Sequence, residues 1–410
     1  MDGTTASSTQ LLRQINSEAL LRFALQEQVF TAGEAMEATG LTRATVLGVC
    51  DGLVDAGWLE EVSDGGDAGR AAKGRPARRY QLREAAGVVV GLDAGEGFLT
   101  TVVADLRGRE RGKRRRSIDS HALGRAGRVS SARELIDQAL GDANCDAGDV
   151  LLTVVGVPAP VDADGRSPAG GEFWQLMNSG FAPRLHGSVF VENDANLAAV
   201  AEQAQAPSAN VATLLSGERF GAGLIVDGRL LRGRRGGAGE MRFLDILADN
   251  SLESDEGTSD GLGALARKWA RKGIRSYEGN TLLRRLSEEE IQAEDVFEAA
   301  REGDPLAADI IARLGARLAR IAVVLSSLLD IERVVIAGGI SSAIEPVLAH
   351  ARSLLPTDSG LPLPSLVASS LGAEAVVRGA IESALTRIRH EPLAFLPRAA
   401  ASDGPMPTPT

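Results

Sequence analysis

The chain has 410 residues, two cysteines, 44% hydrophobic residues and a formal net charge of -11. That length exceeds what one hydrophobic core ordinarily serves, so two or three packed domains are expected, and the acidic balance excludes a protein that coats nucleic acid wholesale, which needs a basic field. No apolar run approaches the roughly 20 residues of a membrane span, the polar start lacks a signal-peptide pattern, and Cys50 and Cys145 stand too far apart for a zinc site, so the expectation is a cytoplasmic protein with no membrane partner, disulfide framework or structural metal.

Apolar residues from Leu11 to Leu25 mostly fit one helical face, which predicts a first helix over Gln10–Gln28. Thr31 can cap a short second helix through Ala38, with Gly40 as its stop. Thr42 can cap a third helix that turns Val46, Leu47, Val49, Leu53 and Val54 inward. Two helices separated by a tight glycine-containing turn form a helix-turn-helix pattern. Gly57 ends the third helix, Trp58–Val62 reads as a strand, and Arg78–Leu82 as its return, which completes the hairpin called a wing. Thr42, Arg43, Ala44 and Thr45 open the third helix, where a recognition helix presents residues to the major groove: Arg43 to a guanine or a phosphate, Thr42 and Thr45 to phosphates. Arg70, Lys73, Arg75, Arg78, Arg79 and Arg83 follow with no acidic residue among them. Lys73, Gly74, Arg75 and Pro76 put cations on an extended backbone suited to a narrow minor groove. A second basic run, Arg107 to Arg116, reads as a solvated hairpin tip.

After Ala86 buried strands alternate with helices, which predicts an α/β domain. Strands are expected at Val88–Leu92, Leu99–Ala104, Leu151–Val157, Ser188–Val191, Val211–Leu215, Gly223–Val226 and Val334–Ile336. Helices are expected around Ala132–Leu140 and at Ala195–Ala204, Gly263–Lys272 and Pro305–Leu329, with a loop at Asn250–Gly263 and a disordered tail at Ala399–Thr410. Asn193 and Asp194 stand at the end of a strand and the start of a helix, where open α/β sheets hold ligands. There Asp194 can take a proton from a hydroxyl and Asn193 can hydrogen-bond a neighbouring one. Asp194 reads equally as a helix cap. Gly236–Glu240 is either a flexible loop that offers Glu240 to a hydroxyl pair or an ordinary turn.

Together these residues resemble the ROK family of repressors, open reading frames and kinases. The stretch from Thr42 to Gly57, followed by Gly74-Arg75-Pro76, is similar to the family's repressor branch. Gly156–Asp162, Glu192–Asn196, Gly221–Gly228, Gly236–Glu240 and Asp330–Ile340 are similar to its kinase-like core. The resemblance implies a winged helix-turn-helix, residues 1–85, followed by a two-lobed α/β sugar-kinase/actin-like (ribonuclease H-like) domain. Its lobes would be 86–205 and 206–395, the second with the C-terminal helix, before a tail at 396–410.

The departures from the family pattern imply lost chemistry. The first phosphate loop, Asp-x-Gly-Gly-Thr-Lys in family kinases, reads Asp93-Ala94-Gly95-Glu96-Gly97-Phe98, and the second, Gly-Thr-Gly-x-Gly, reads Gly217-Glu218-Arg219-Phe220-Gly221. Each has gained a glutamate where polyphosphate would lie, at a gross cost on the order of 4 kcal/mol. The family's Glu-x-Gly-His and zinc-binding cysteines are missing after Glu240, where Phe243 cannot ligate metal, and Ala159 stands where glycine is usual. The implied protein is a DNA-binding regulator, repressor-type, without kinase activity, cofactor or metal. It would be a homodimer or homotetramer on a palindromic operator, responding to a sugar or sugar phosphate near Asn193, Asp194 and Glu240. The alternatives are an active sugar kinase with an appended DNA-binding domain, and an effector-independent regulator that uses its α/β domain only to dimerise.

Overall fold

Three helices open the chain: α1 (Gly3–Ala24), α2 (Ala32–Thr39) and α3 (Arg43–Asp55). The computed structural model describes residues 3–62, 78–241, 260–356 and 363–395; Arg70, Lys73, Gly74, Arg75, Pro76 and Phe243, most of the 250–263 stretch and the tail lie outside the described residues. Thr31 and Glu34 start α2 by capping each other, with the Thr31 N–H donating to Glu34 Oε2 at 2.7 Å and the Glu34 N–H to Thr31 Oγ1 at 3.3 Å. These bonds hold the Glu34 carboxyl below its ordinary value. The helix ends at Gly40, whose φ of 71° is a left-handed conformation that favours glycine.

Thr42 caps α3, whose fully buried stripe is Val46, Cys50 and Leu53. The expected inward residues Leu47, Val49 and Val54 are only half-buried. A straight helix with 3.6 residues per turn keeps positions 46, 50 and 53 on one line, which rotates the others to its flanks. Burial pushes the Cys50 thiol up to about 12, so it is inert. Strands β1 (Phe30–Thr31), β2 (Leu59–Val62) and β3 (Arg79–Leu82) form an antiparallel sheet in the order β1-β3-β2. Phe30 stands 5.2 Å from Phe23 and 5.9 Å from Tyr80 between ring centroids, and Trp58 is fully buried beside them.

The remaining chain forms two five-stranded sheets with the same topology. The first contains β4 (Val88–Ala94), β5 (Phe98–Asp105), β6 (Glu110–Ser117), β7 (Val150–Val157) and β8 (Ser188–Asn193), in the order β6-β5-β4-β7-β8. The second contains β9 (Val211–Ser216), β10 (Phe220–Val226), β11 (Arg229–Leu230), β12 (Arg333–Ala337) and β13 (Ser365–Ala368), in the order β11-β10-β9-β12-β13. In each, three antiparallel strands lead into two parallel ones. The central strands are apolar almost throughout because both faces are covered.

Most of the basic run at Arg107–Arg116, expected as a solvated tip, is the edge strand β6. Two of its cations are tied to the helix that packs on it, α4 (Ser120–Asp142): Arg114 pairs with Asp142 at 2.6 Å and Arg116 with Glu134 at 3.1 Å. Charge along an edge strand also discourages pairing with another chain. A cap by Asp119, whose carboxylate accepts from the His121 and Ala122 N–H groups, starts α4 well before the expected Ala132.

Helix α5 (Glu172–Met177) and α6 (Asp194–Gln205) complete the first lobe's segment, while α7 (Leu262–Ser276), α8 (Ala293–Arg301), α9 (Pro305–Leu329) and α10 (Glu345–Leu354) enclose the second lobe's core. The last helix, α11 (Ala375–His390), corrects the expected domain assignment. It crosses back to pack on α6, β4 and β7, so the core it completes is the first lobe's. Backbones approach closely there: the site of a Cβ on Gly91 is 2.8 Å from Val377 O, and one on Gly379 would overlap Leu197 O. α11 ends against the three-helix head, where Arg22 Nη2 donates to His390 O at 2.9 Å. Ile388, Leu393 and Phe395 join the same apolar cluster as Leu20, Leu21 and Leu59, so head and first lobe share one core. No described helix is long and apolar enough to cross a membrane.

Candidate functional site

Between the two sheets lies a cleft of about 870 Å³. Its floor is made by strand ends, the usual ligand position in such sheets: Asp93 closes β4 and Asp194 follows β8. Loss of solvent, then the charges of Asp93 and Glu240, push the Asp194 carboxyl up to about 8. Desolvation also pushes Asp93 up to about 7, against the opposing pull of Arg115 and Arg128. Asp194 therefore holds its proton at neutral pH and can donate to or accept from a ligand hydroxyl. Glu240 lines the same cleft, as does Asn193. The structure thus brings all three predicted ligand residues together, but it changes two roles. Asn193, not Asp194, caps α6: its Oδ1 accepts from the Asn196 N–H at 3.0 Å, while its Nδ2 donates to Ala159 O at 3.1 Å. Asp194 Oδ1 accepts only from the next N–H, that of Ala195, at 2.8 Å.

Residues that sequence reasoning passed over hold this floor. Arg128, fully buried, donates to Gly95 O at 2.9 Å and Ala94 O at 2.7 Å, and so fixes the turn after Asp93. Glu192, also buried, accepts from Asn196 Nδ2 at 3.0 Å and pairs with Arg232 at 2.7 Å. That pair ties the segment leading into the Gly236–Glu240 loop to the end of β8. Gly236 and Gly239 have φ of 68° and 84°, and a Cβ on either would overlap the backbone of Val161 or Ala222, so only glycine lets the loop lie this low. Arg232→Met leaves Glu192 buried and unpaired; a loss of roughly 1–3 kcal/mol is expected in denaturant unfolding, with no loss meaning that water already screens the pair. Phe173 and Trp174 form an aromatic wall. An adjacent aromatic pair in a chain with 4% aromatic residues was the available signal.

The two altered phosphate loops face each other across this cleft. Glu96 and Glu218 are not bare charges: Glu96 lies 3.5 Å from both Arg219 and His121, and Glu218 pairs with Arg267 at 2.7 Å. Arg219, from the β9–β10 turn, reaches the β4–β5 turn of the other lobe and stacks on Phe173 at 3.6 Å from the ring centroid. Side chains of this chain thus bridge the lobes where the resemblance would put polyphosphate. The pair is solvent-exposed and contributes only about 0–1 kcal/mol, so a ligand can displace it. Among the described residues no group of three or more His, Cys, Asp or Glu side chains is placed to hold a metal ion.

On the head, Thr42, Arg43 and Ala44 are exposed at the start of α3, and Thr45 is half-exposed. The Thr42 hydroxyl accepts from the Thr45 N–H at 3.4 Å and lies 2.9 Å from the Thr45 hydroxyl. Arg78, expected as a free wing cation, is instead held by Asp51 at 3.0 Å and Glu61 at 3.5 Å, because β3 runs directly beside β2 and below α3. Arg79 is exposed on β3, near Glu34.

The profile of the ROK family matches residues 89–387. The chain is 23% identical to a xylose repressor of Caldicellulosiruptor bescii over 312 residues, 72% of this chain and 75% of that one. It is 31% identical to a glucokinase of Thermotoga maritima over 221 residues, 50% of this chain and 69% of that one. Among solved structures it resembles a ROK family transcriptional regulator, a homolog of the E. coli MLC protein, with a TM-score of 0.68 and 24% identity over 93% of this chain and 98% of that one. A ROK family glucokinase from Streptomyces griseus, solved with glucose and AMPPNP, superposes with a TM-score of 0.60 and 25% identity, covering 72% of this chain and 99% of that one. The two-lobed α/β fold is thus the sugar-kinase-like one.

Proposed function

The chain belongs to the ROK family, and on that premise we propose that it is a sequence-specific DNA-binding transcriptional regulator, repressor-type, with a ligand-responsive body and no kinase activity. The observation that carries this reading is the exposed, Thr42-capped start of α3 on a head whose core is continuous with the first lobe through α11. In this reading residues 1–85 are a winged helix-turn-helix, with Arg43 reading base edges and Thr42 and Thr45 on phosphates; the wing cations Arg70, Lys73 and Arg75 with Gly74 and Pro76 enter the minor groove, and Arg79 touches the backbone. A homodimer would set two such helices about one DNA turn apart on a palindrome. A sugar or sugar phosphate at Asp194 and Glu240 would bias lobe closure, and α11 would carry that bias from the cleft to the head. Such coupling requires unequal affinity for the two states. The xylose repressor among the relatives supports the regulator and the sugar alike.

Selection of genomic DNA fragments by the purified protein tests the reading. A shared palindromic site is expected, weakened about 10- to 100-fold by Arg43→Ala, which is roughly 1–3 kcal/mol. Recovery that is independent of sequence and abolished by modest salt would reduce the head to a phosphate-binding arm. A second reading, an active sugar kinase, draws on the glucokinase similarity and on Asp194 at the cleft floor. Sugar-dependent ADP release in a coupled assay would establish it in place of the first.

A further inference from the structure

A second cavity of about 540 Å³ opens beside the main cleft and shares Thr100 and Arg115 with it. Lys113, Ser370, Glu374 and Arg378 complete its polar lining. Three cations here face one carboxylate. Glu374 takes both Lys113 and Arg378, the latter at 2.6 Å. Arg115 has no ion pair among the described residues and lies over the Phe98 ring, 4.3 Å from its centroid. Two positive charges are therefore left over. The pocket also lies at the start of α11, whose positive dipole end adds to them.

The floor of the main cleft differs in chemistry, offering the carboxyl groups of Asp93, Asp194 and Glu240. The two regions are directly connected, since Asp93, Thr100 and Arg115 are successive cross-strand neighbours on β4, β5 and β6. Two strand spacings put the ends about 10 Å apart, a span that a pentose or hexose phosphate covers with the reach of an arginine. Carboxylates suit hydroxyl donors, and guanidinium forks suit a phosphate dianion. The geometry points to a phosphate-monoester subsite at Arg115, Arg378 and Lys113, so that the ligand of this protein is a phosphorylated sugar whose ring lies toward Asp194. This deepens the effector reading above but is tested without DNA, so failure of operator selection and failure of this subsite are separate results.

The experiment is titration calorimetry of the full chain with inorganic phosphate, glucose 6-phosphate, glucose and glucuronate, repeated with Arg115→Gln, Arg378→Gln and Arg115→Lys. Arg115 and Arg378 are exposed, so these variants should fold, which thermal melting checks. Inorganic phosphate is expected to bind at millimolar concentration, with each glutamine variant weakening it tenfold or more and Arg115→Lys restoring part of the loss. Binding of glucose by Arg378→Gln, which lies outside the main cleft, should match that of the parent. Absence of phosphate binding, or phosphate binding indifferent to both glutamine variants, overturns the subsite. Glucuronate binding as tightly as glucose 6-phosphate overturns its assignment to a phosphate monoester.

Discussion

Gly379→Ala is expected to destabilise the protein by about 3 kcal/mol or more, read as a lowered denaturant midpoint. In an isolated helix the change would favour folding by roughly 1 kcal/mol, because alanine is the better helix former. Packing reverses the sign. The added Cβ would overlap the backbone carbonyl oxygen of Leu197, which cannot rotate away as a side chain does. Either α11 or α6 must shift, and both are bound by the same apolar cluster that reaches the head. Gly141→Ala is the control: it lies in α4 with nothing within 4 Å of the new methyl, and should stabilise by a few tenths to about 1 kcal/mol. If both variants behave alike, the close crossing of α11 over α6 is not present in solution.

Asp194→Asn is expected to change how stability depends on pH. An unfolded aspartate titrates near 3.8, whereas Asp194 is raised to about 8 and Asp93 to about 7. Between those values the folded state keeps protons that the unfolded chain has released. The stability linked to them is therefore fully present below the unfolded value and is lost as pH rises through the folded ones. Each such proton contributes a slope of up to about 1.4 kcal/mol per pH unit. Removing Asp194 should roughly halve the decline between about pH 5 and 7, and leave the variant roughly 3 kcal/mol less penalised than the parent on going from about pH 5 to 8. Chemical denaturation across that range measures it. An unchanged profile would mean that the cleft floor is wet enough for Asp194 to ionise as an ordinary aspartate.

Much of the head was legible because its signals are local. Thr31, Gly40 and Thr42 each act within four residues, and each caps its helix where expected. The strands of the two lobes were equally readable, since a buried central strand such as Val88–Ala94 is apolar whatever its neighbours. The edge strand β6 was misread for the opposite reason. Its run of cations looks solvated until Asp142 and Glu134 arrive from α4, and nothing near Arg114 in sequence announces them. Asn193 and Asp194 were found as a pair, but which of them caps α6 depends on where each side chain turns: Asn193 Oδ1 takes the Asn196 N–H, and Asp194 Oδ1 only that of Ala195.

By itself the sequence determined the order of elements, the positions of the caps, the acids at the strand ends and the loss of the Thr and Lys from the first phosphate loop, because each is written in a few adjacent residues. Only the tertiary structure decided that α11 completes the first lobe's core and touches the head, that Arg219 reaches Glu96 across the cleft, and that Arg115 turns toward a pocket it shares with Arg378. Those contacts join residues far apart in the chain. They exist because sheet order and close glycine crossings bring the backbones together, and neither can be read from spacing along a single strand.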